Sequence, residues 1–194
     1  MTTQAAEVTS RNVNGVEYPA VGTYAIDASH TQLGFAVRHM AVSKVRGRLS
    51  KFDGTIDIAE DPTDSKVSLT IDATSVDTRD EARDNHLRTN DFFDVENHPT
   101  WSFTSTSISP EGPTEWKVAG DLTIRGVTKP VTLDVSLEGV VKDPYGNHRI
   151  GFSGKTTINR EDFDVSFGAV MEAGGLVVAK KVDIELEVEA VLQV

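Results

Sequence analysis

Residues 27 to 58 read DASHTQLGFAVRHMAVSKVRGRLSKFDGTIDI, and the alternation inside this stretch decides the fold class. Leu33, Phe35 and Val37 fall on one face of a strand-length run, while Gly34, Ala36 and Arg38 fall on the other. Val45, Gly47 and Leu49 share a face in the next run, and the apolar phase returns after Phe52 with Ile56 and Ile58. A period of two is the mark of a strand with one face buried. The phase slips between Leu49 and Phe52, just before Asp53-Gly54, which predicts a bulge or bend within a long strand. Long, bent, half-buried strands are what a closing barrel requires.

The same period continues outward. Tyr24 and Ile26 precede the stretch on a short strand, and Val67, Leu69, Ile71 and Ala73 follow it after the turn residues Glu60 to Asp64. Thr78 and Glu81 make a capping box that opens a polar helix over Glu81 to Arg88, expected beside the barrel. Phe92 and Phe93, adjacent and therefore unable to share one strand face, predict an irregular turn plugging a barrel end. Trp101 and Phe103, then Trp116 to Ile124, Val131 to Leu137, and Ile150 to Ile158 resume the alternation. In the last run Val182, Ile184, Leu186, Val188 and Ala190 alternate with Asp183, Glu185, Glu187 and Glu189.

Eight or so amphipathic strands without a helical layer cannot stay open, because their apolar faces need cover. An all-β fold follows, an up-and-down antiparallel barrel with one short α-helix beside it; a two-sheet sandwich satisfies the same periodicity. Residues 1 to 21, polar and aperiodic until Tyr18, are expected to form a flexible arm whose end docks on a domain spanning 22 to 194.

A chain of 194 residues is long enough for one well-buried core without staples, and it contains no cysteine, which excludes disulfides and thiolate metal sites. Its formal charge of −11 opposes nucleic acid and anionic lipid at long range. No run is apolar enough to span a bilayer, and the first residues lack a secretory pattern, so the expected location is the cytoplasm. A homodimer would have to use a face or a rim, since a closed barrel has no free edge.

The stretches DASHTQLGFAVRHM, SKVRG, SVDT, RDNHL, NDFFD, HPTWSF, GDLTIRGVTKPV and INREDF, in that order, resemble the YceI-like family of polyisoprenoid-binding, lipocalin-like barrel proteins. The similarity runs from about residue 23 to the C-terminus. It implies an extended eight-stranded antiparallel barrel holding an isoprenoid or other long-chain lipid, such as a prenyl diphosphate or a quinone-like amphiphile, in an apolar tunnel. Two positions depart from the family pattern: Asp164 stands where glycine is frequent, and Lys180-Lys181 where an acidic residue is common. Both fall near a predicted rim.

The expected wall comprises Leu33, Phe35, Val37, Leu49, Leu69, Ile71, Phe103, Ile150, Phe152 and Ile184, with Gly47, Gly120, Gly154 and Ala73 as small inward residues leaving hollow space. His30, Arg38, His39, Arg83, His86 and Arg160 are the candidates for holding a polar head group. No G-x-S-x-G, no HExxH and no helical histidine pair is present, so neither catalytic residues, nor a metal, nor a cofactor is expected. The sequence leaves three uses open: a lipid carrier or store, an enzyme acting on a similar amphiphile through His39, Arg83, His86 and Arg160, and a scaffold with a packed barrel.

Overall fold

The computed structural model describes residues 10–13, 15–169 and 177–193. The elements are β1 (Ser10–Val13), β2 (Val16–Pro19), β3 (Gly22–Ile26), β4 (Gln32–His39), β5 (Ser43–Leu49), β6 (Phe52–Ile58), β7 (Lys66–Asp72) and β8 (Val76–Asp77). There follow α1 (Glu81–Arg88), β9 (Thr100–Pro110), β10 (Glu115–Ile124), β11 (Val127–Lys142), β12 (His148–Asn159) and β13 (Val178–Leu192).

Antiparallel hydrogen bonding runs in the order β12-β11-β10-β9-β7-β6-β3-β13, and β13 pairs back onto β12, closing an eight-stranded barrel. The closure is a barrel rather than a sandwich because β13 reaches both neighbours. Its C-terminal residues pair with β3, and its N-terminal half pairs with β4. β4 and β5 continue the walls of β3 and β6 beyond the ring, and β8 extends the sheet past β5. At this end α1, residues 89–98 and the 3-10 turn Arg160–Phe163 lie over the opening. The opposite end carries β1, β2 and the loops at 59–65, 111–114 and 143–147.

The phase slip between Leu49 and Phe52 has a specific cause. The Ser75 hydroxyl accepts hydrogen bonds from the successive amides of Ser50 and Lys51, at 3.1 and 3.0 Å, and donates to the Asp72 carbonyl at 2.6 Å. Two amides that turn away from the ladder at the bend thereby find an acceptor in a buried side chain.

The helix begins at Glu81 as expected, but its cap is Asp80, whose carboxylate accepts the Arg83 amide at 3.0 Å. Thr78 instead gives its hydroxyl to Asp84 at 2.5 Å. Arg79 takes a left-handed backbone, φ +63°, and the cap lies two residues past Thr78, the position the capping-box spacing suggests.

Where the polar sequence suggested an arm with a docked end, residues 10–13 and 16–19 pair as a hairpin lying across the barrel end. Tyr18 packs edge-on against Trp116, with ring centroids 5.9 Å apart, and donates its hydroxyl to the Pro113 carbonyl at 2.7 Å. Arg11 donates to the carbonyls of Ala59 and Glu60, at 2.6 and 2.5 Å. Residues 1–9 of the expected arm lie outside the described residues.

Candidate functional site

Alternation puts one side chain in two on the concave face of every strand, and in a barrel of this strand number those side chains either fill the interior or enclose one ligand. Here they enclose a cavity of about 310 Å³. Its wall runs from Tyr18, Ile108 and Trp116 under the β1–β2 hairpin to Leu87, Phe92, Phe163 and Val178 beside the helix. Apart from Arg11, Ser65, Ser153, Thr156 and Arg160, every lining residue is apolar or aromatic. Both tryptophans of the chain, Trp101 and Trp116, are in the wall.

Of the expected wall, Leu33, Phe35, Val37, Leu49, Leu69, Ile71, Phe103, Phe152 and Ile184 line the cavity. Ile150 does not: it is fully buried against Tyr24, Ile56 and Ala190, a solid cluster near the arm end. The small inward residues divide. A Cβ on Gly47 would stand 2.3 Å from the Phe35 ring, and one on Gly120 would stand 2.4 Å from the Phe103 ring, so phenylalanines occupy those spaces. Gly154 lines the cavity, and an added Cβ there would meet Leu186 at an ordinary 3.5 Å.

The expected polar residues do not converge. Arg160 is in the wall, buried, and donates to the backbone carbonyls of Val165, Val178 and Ala179. Burial pulls its pKa below the ordinary guanidinium value. Arg83 is held outside the cavity, donating to the Thr78 hydroxyl at 2.7 Å and the Thr78 carbonyl at 2.8 Å. His86 bonds Asp91 at 2.7 Å and packs edge-on against Phe92 and Phe167. His39 is half-buried at the end of β4 and outside the wall. His30 lies on the barrel flank, 2.8 Å from Asp27, and Arg38 is exposed.

Asp27, His30 and Glu189 bring three possible metal-ligand atoms within 4.8 Å of one another. A cation is already there: the Arg149 guanidinium donates to Asp27 at 2.8 Å, Glu189 at 2.6 Å and Asp143 at 2.7 Å. Hydrogen bonds from Ser29 and from Arg149 hold the Asp27 carboxyl far below the usual range, and Arg149 and Asn147 do the same for Asp143.

The two departures from the family pattern also lie off the cavity wall. Asp164 caps the Arg160–Phe163 turn with φ +58° and ψ +18°, a left-handed position of the kind glycine favours, and aspartate is among the few other residues that tolerate it. Lys180 and Lys181 are exposed on the outer face, Lys180 paired with Glu161 at 2.7 Å. Sequence reasoning placed the Phe92-Phe93 turn at a barrel end, and both rings line the cavity, but it left the other end residues out of the wall. Leu87, Phe163, Val165 and Tyr18 come from a polar helix, a short turn, a loop and the supposed arm, none of which carries a wall-like period.

The model of the YceI-like domain matches residues 24–190. A UPF0312 protein of Ectopseudomonas mendocina is 42% identical over 146 residues, covering 74% of this chain and 76% of its own. Another from Staphylococcus epidermidis is 39% identical over 165 residues, covering 84% and 94%. Among solved structures, the Campylobacter jejuni YCEI protein superposes with a TM-score of 0.70 at 31% identity, over 81% of this chain and 90% of that one. A polyisoprenoid binding domain from Saccharophagus degradans, implicated in plant cell wall breakdown, shares the fold at 16% identity, with a TM-score of 0.67 over 90% and 100%. The barrel with its apolar interior, the order of the motifs and these similarities together identify the chain as a member of the YceI-like family.

Proposed function

We propose that this protein binds and carries a long-chain amphiphile, in the first instance a polyisoprenoid, with the chain lying in the barrel cavity. The observation that carries the reading is the wall: continuous apolar side chains from one barrel end to the other, around a space at the lower end of the usual range for small-molecule sites. The S. degradans domain, which shares the fold, supports the choice of ligand class.

Magnitudes favour several isoprene units over one. Burial contributes about 0.8 kcal/mol per carbon, so a five-carbon unit gives roughly 4 kcal/mol gross. Association costs about 4–15 kcal/mol. One unit does not clear that cost and a chain of several does.

The placement of the polar groups supports binding without turnover. His39, Arg83 and His86 lie outside the wall, and Arg160 is engaged by three carbonyls. Among the described residues no acid and base face each other across the cavity, as proton transfer to a bound chain would need; the His86–Asp91 and His30–Asp27 pairs lie off its wall.

The test is uptake of geranylgeraniol and of a prenylated quinone by delipidated protein, followed by tryptophan emission and by mass spectrometry of the organic extract. Emission should respond because both tryptophans line the space. Leu133→Trp, which fills the wall, should reduce uptake severalfold. Wild-type protein that takes up neither compound, or converts them to products, overturns the reading.

A further inference from the structure

The turn between β4 and β5 is built against the usual rule for turns. Its four residues are His39, Met40, Ala41 and Val42, closed by the Val42 amide donating to the His39 carbonyl at 3.1 Å. Met40 and Ala41 both adopt left-handed backbones, φ +48° and +58°. Such a pair of angles is the preserve of Asn-Gly or Asp-Gly, and non-glycine residues without a short polar side chain hold it at a cost. The side chains so displayed are apolar and face water: Met40 is 43% exposed and Val42 80%. Among the described residues neither side chain belongs to a hydrophobic cluster, and strain at a site without an internal purpose points to an external one.

The charge around this turn opposes that of the rest of the chain. Aspartate and glutamate make up 30 of 194 residues, yet none occurs from Ala28 to Phe52, where Arg38, Lys44, Arg46, Arg48 and Lys51 stand. Arg38 and Lys44 are directly opposed across the β4–β5 ladder, a like-charge pairing that costs the sheet stability. Lys44 and Arg48 each have a carboxylate partner, Asp183 and Asp77, both at 2.8 Å. Arg38, Arg46 and Lys181 are exposed, and none has an ion pair among the described residues. Lys181 on neighbouring β13 adds to this basic surface, while Lys180 beside it is paired with Glu161.

We propose that the β4–β5 turn is a membrane-docking tip: Met40 and Val42 enter the interface of an anionic bilayer while Arg38, Arg46 and Lys181 meet its head groups. Exposed apolar side chains ringed by cations match that surface, which rewards apolar insertion and basic charge together. A nucleic acid offers nothing to Met40 and Val42; the overall −11 charge opposes both kinds of polyanion at long range, so the local apolar and basic groups make the choice. Docking would set the helix end of the barrel, where Val37 and Val178 belong to the cavity wall and the Met40 amide bonds the Val177 carbonyl at 2.8 Å, against the lipid. The inference is separate from the identity of the bound ligand, because it concerns only the outer surface and is tested without one.

The full chain is floated with vesicles of phosphatidylcholine alone and of phosphatidylcholine with phosphatidylglycerol. Binding is expected to the anionic vesicles only, to fall with salt, and to weaken about tenfold or more in Arg38→Ala/Arg46→Ala and in Met40→Ser/Val42→Asp. Tyr145→Ser, at the opposite end and 90% exposed in the parent, should bind as wild type. All of these positions are on the surface, and equal thermal unfolding confirms that a loss is not misfolding. No binding of wild type to anionic vesicles overturns the proposal, as does full binding by Met40→Ser/Val42→Asp, loss in Tyr145→Ser alone, or binding to single-stranded RNA with none to vesicles.

Discussion

The ring of Phe35 lies over Gly47 on the facing strand, so close that a Cβ there would stand 2.3 Å from Cζ, with the Thr78 methyl 2.8 Å away on another side. Gly47→Ala must therefore push the ring toward the cavity. We expect a loss of about 1–3 kcal/mol, the usual cost of overpacking, together with reduced uptake of long-chain ligands. Gly154→Ala is the contrast, since its Cβ meets only ordinary contacts: urea unfolding should be near wild type while ligand capacity falls.

Ser75 holds the bend between β5 and β6 through its single hydroxyl. Ser75→Ala leaves the Lys51 amide without that acceptor and should cost about 1–3 kcal/mol in equilibrium unfolding, with Ser75→Gly no better. A change within a few tenths of a kcal/mol would mean that water replaces the hydroxyl at the bend.

Asp27 and Asp143 have folded pKa values held below their unfolded ones, mainly by hydrogen bonds from Ser29 and Arg149 respectively. Depressed carboxylates stabilise the fold above the unfolded pKa, near 3.9, and lose that contribution as pH falls toward the folded values. Arg149→Met should therefore be less stable than wild type at pH 7, and the gap should narrow as pH is lowered below about 4. Thermal unfolding at pH 7, 4 and 2.5 checks the sign, and a gap that widens on acidification would contradict it.

Arg160 binds three backbone carbonyls from inside the wall. Arg160→Met removes every donor at once and is expected to destabilise by about 3 kcal/mol, because buried acceptors are left without partners. Arg160→Lys should recover only part of this, since an ammonium does not reproduce the planar fork. If Arg160→Met unfolds like wild type and only ligand affinity drops, the side chain serves the ligand and not the fold.

Tyr18 and Arg11 fasten the β1–β2 hairpin over the barrel end next to Trp116. Deleting residues 1–19 should leave a folded barrel, because these strands pair with each other and lie outside the closed sheet. We expect faster exchange of a bound chain in stopped-flow tryptophan emission, and the same direction, more weakly, in Tyr18→Phe. Unchanged exchange would show that ligands pass through the helix end alone.

Much of this molecule is readable along the chain, because strand periodicity is local: Leu33, Phe35 and Val37 declare a buried face through their immediate neighbours, and the bend after Leu49 announces itself as a slipped phase. The number of strands and the absence of a covering helical layer carry that pattern to a barrel. What the pattern leaves undecided is set by residues far apart in sequence. Only folding brings Ser75 to the bend at Ser50, lays Phe35 over Gly47 and Phe103 over Gly120, and seats Tyr18 beside Trp116. The same holds for Arg160, which meets Ala179 across a strand end, and for the basic residues gathered on β4, β5 and β13. Alternation determines which side chains face inward, but the space left among them depends on how partners from distant strands fill it, and that is a property of the tertiary structure.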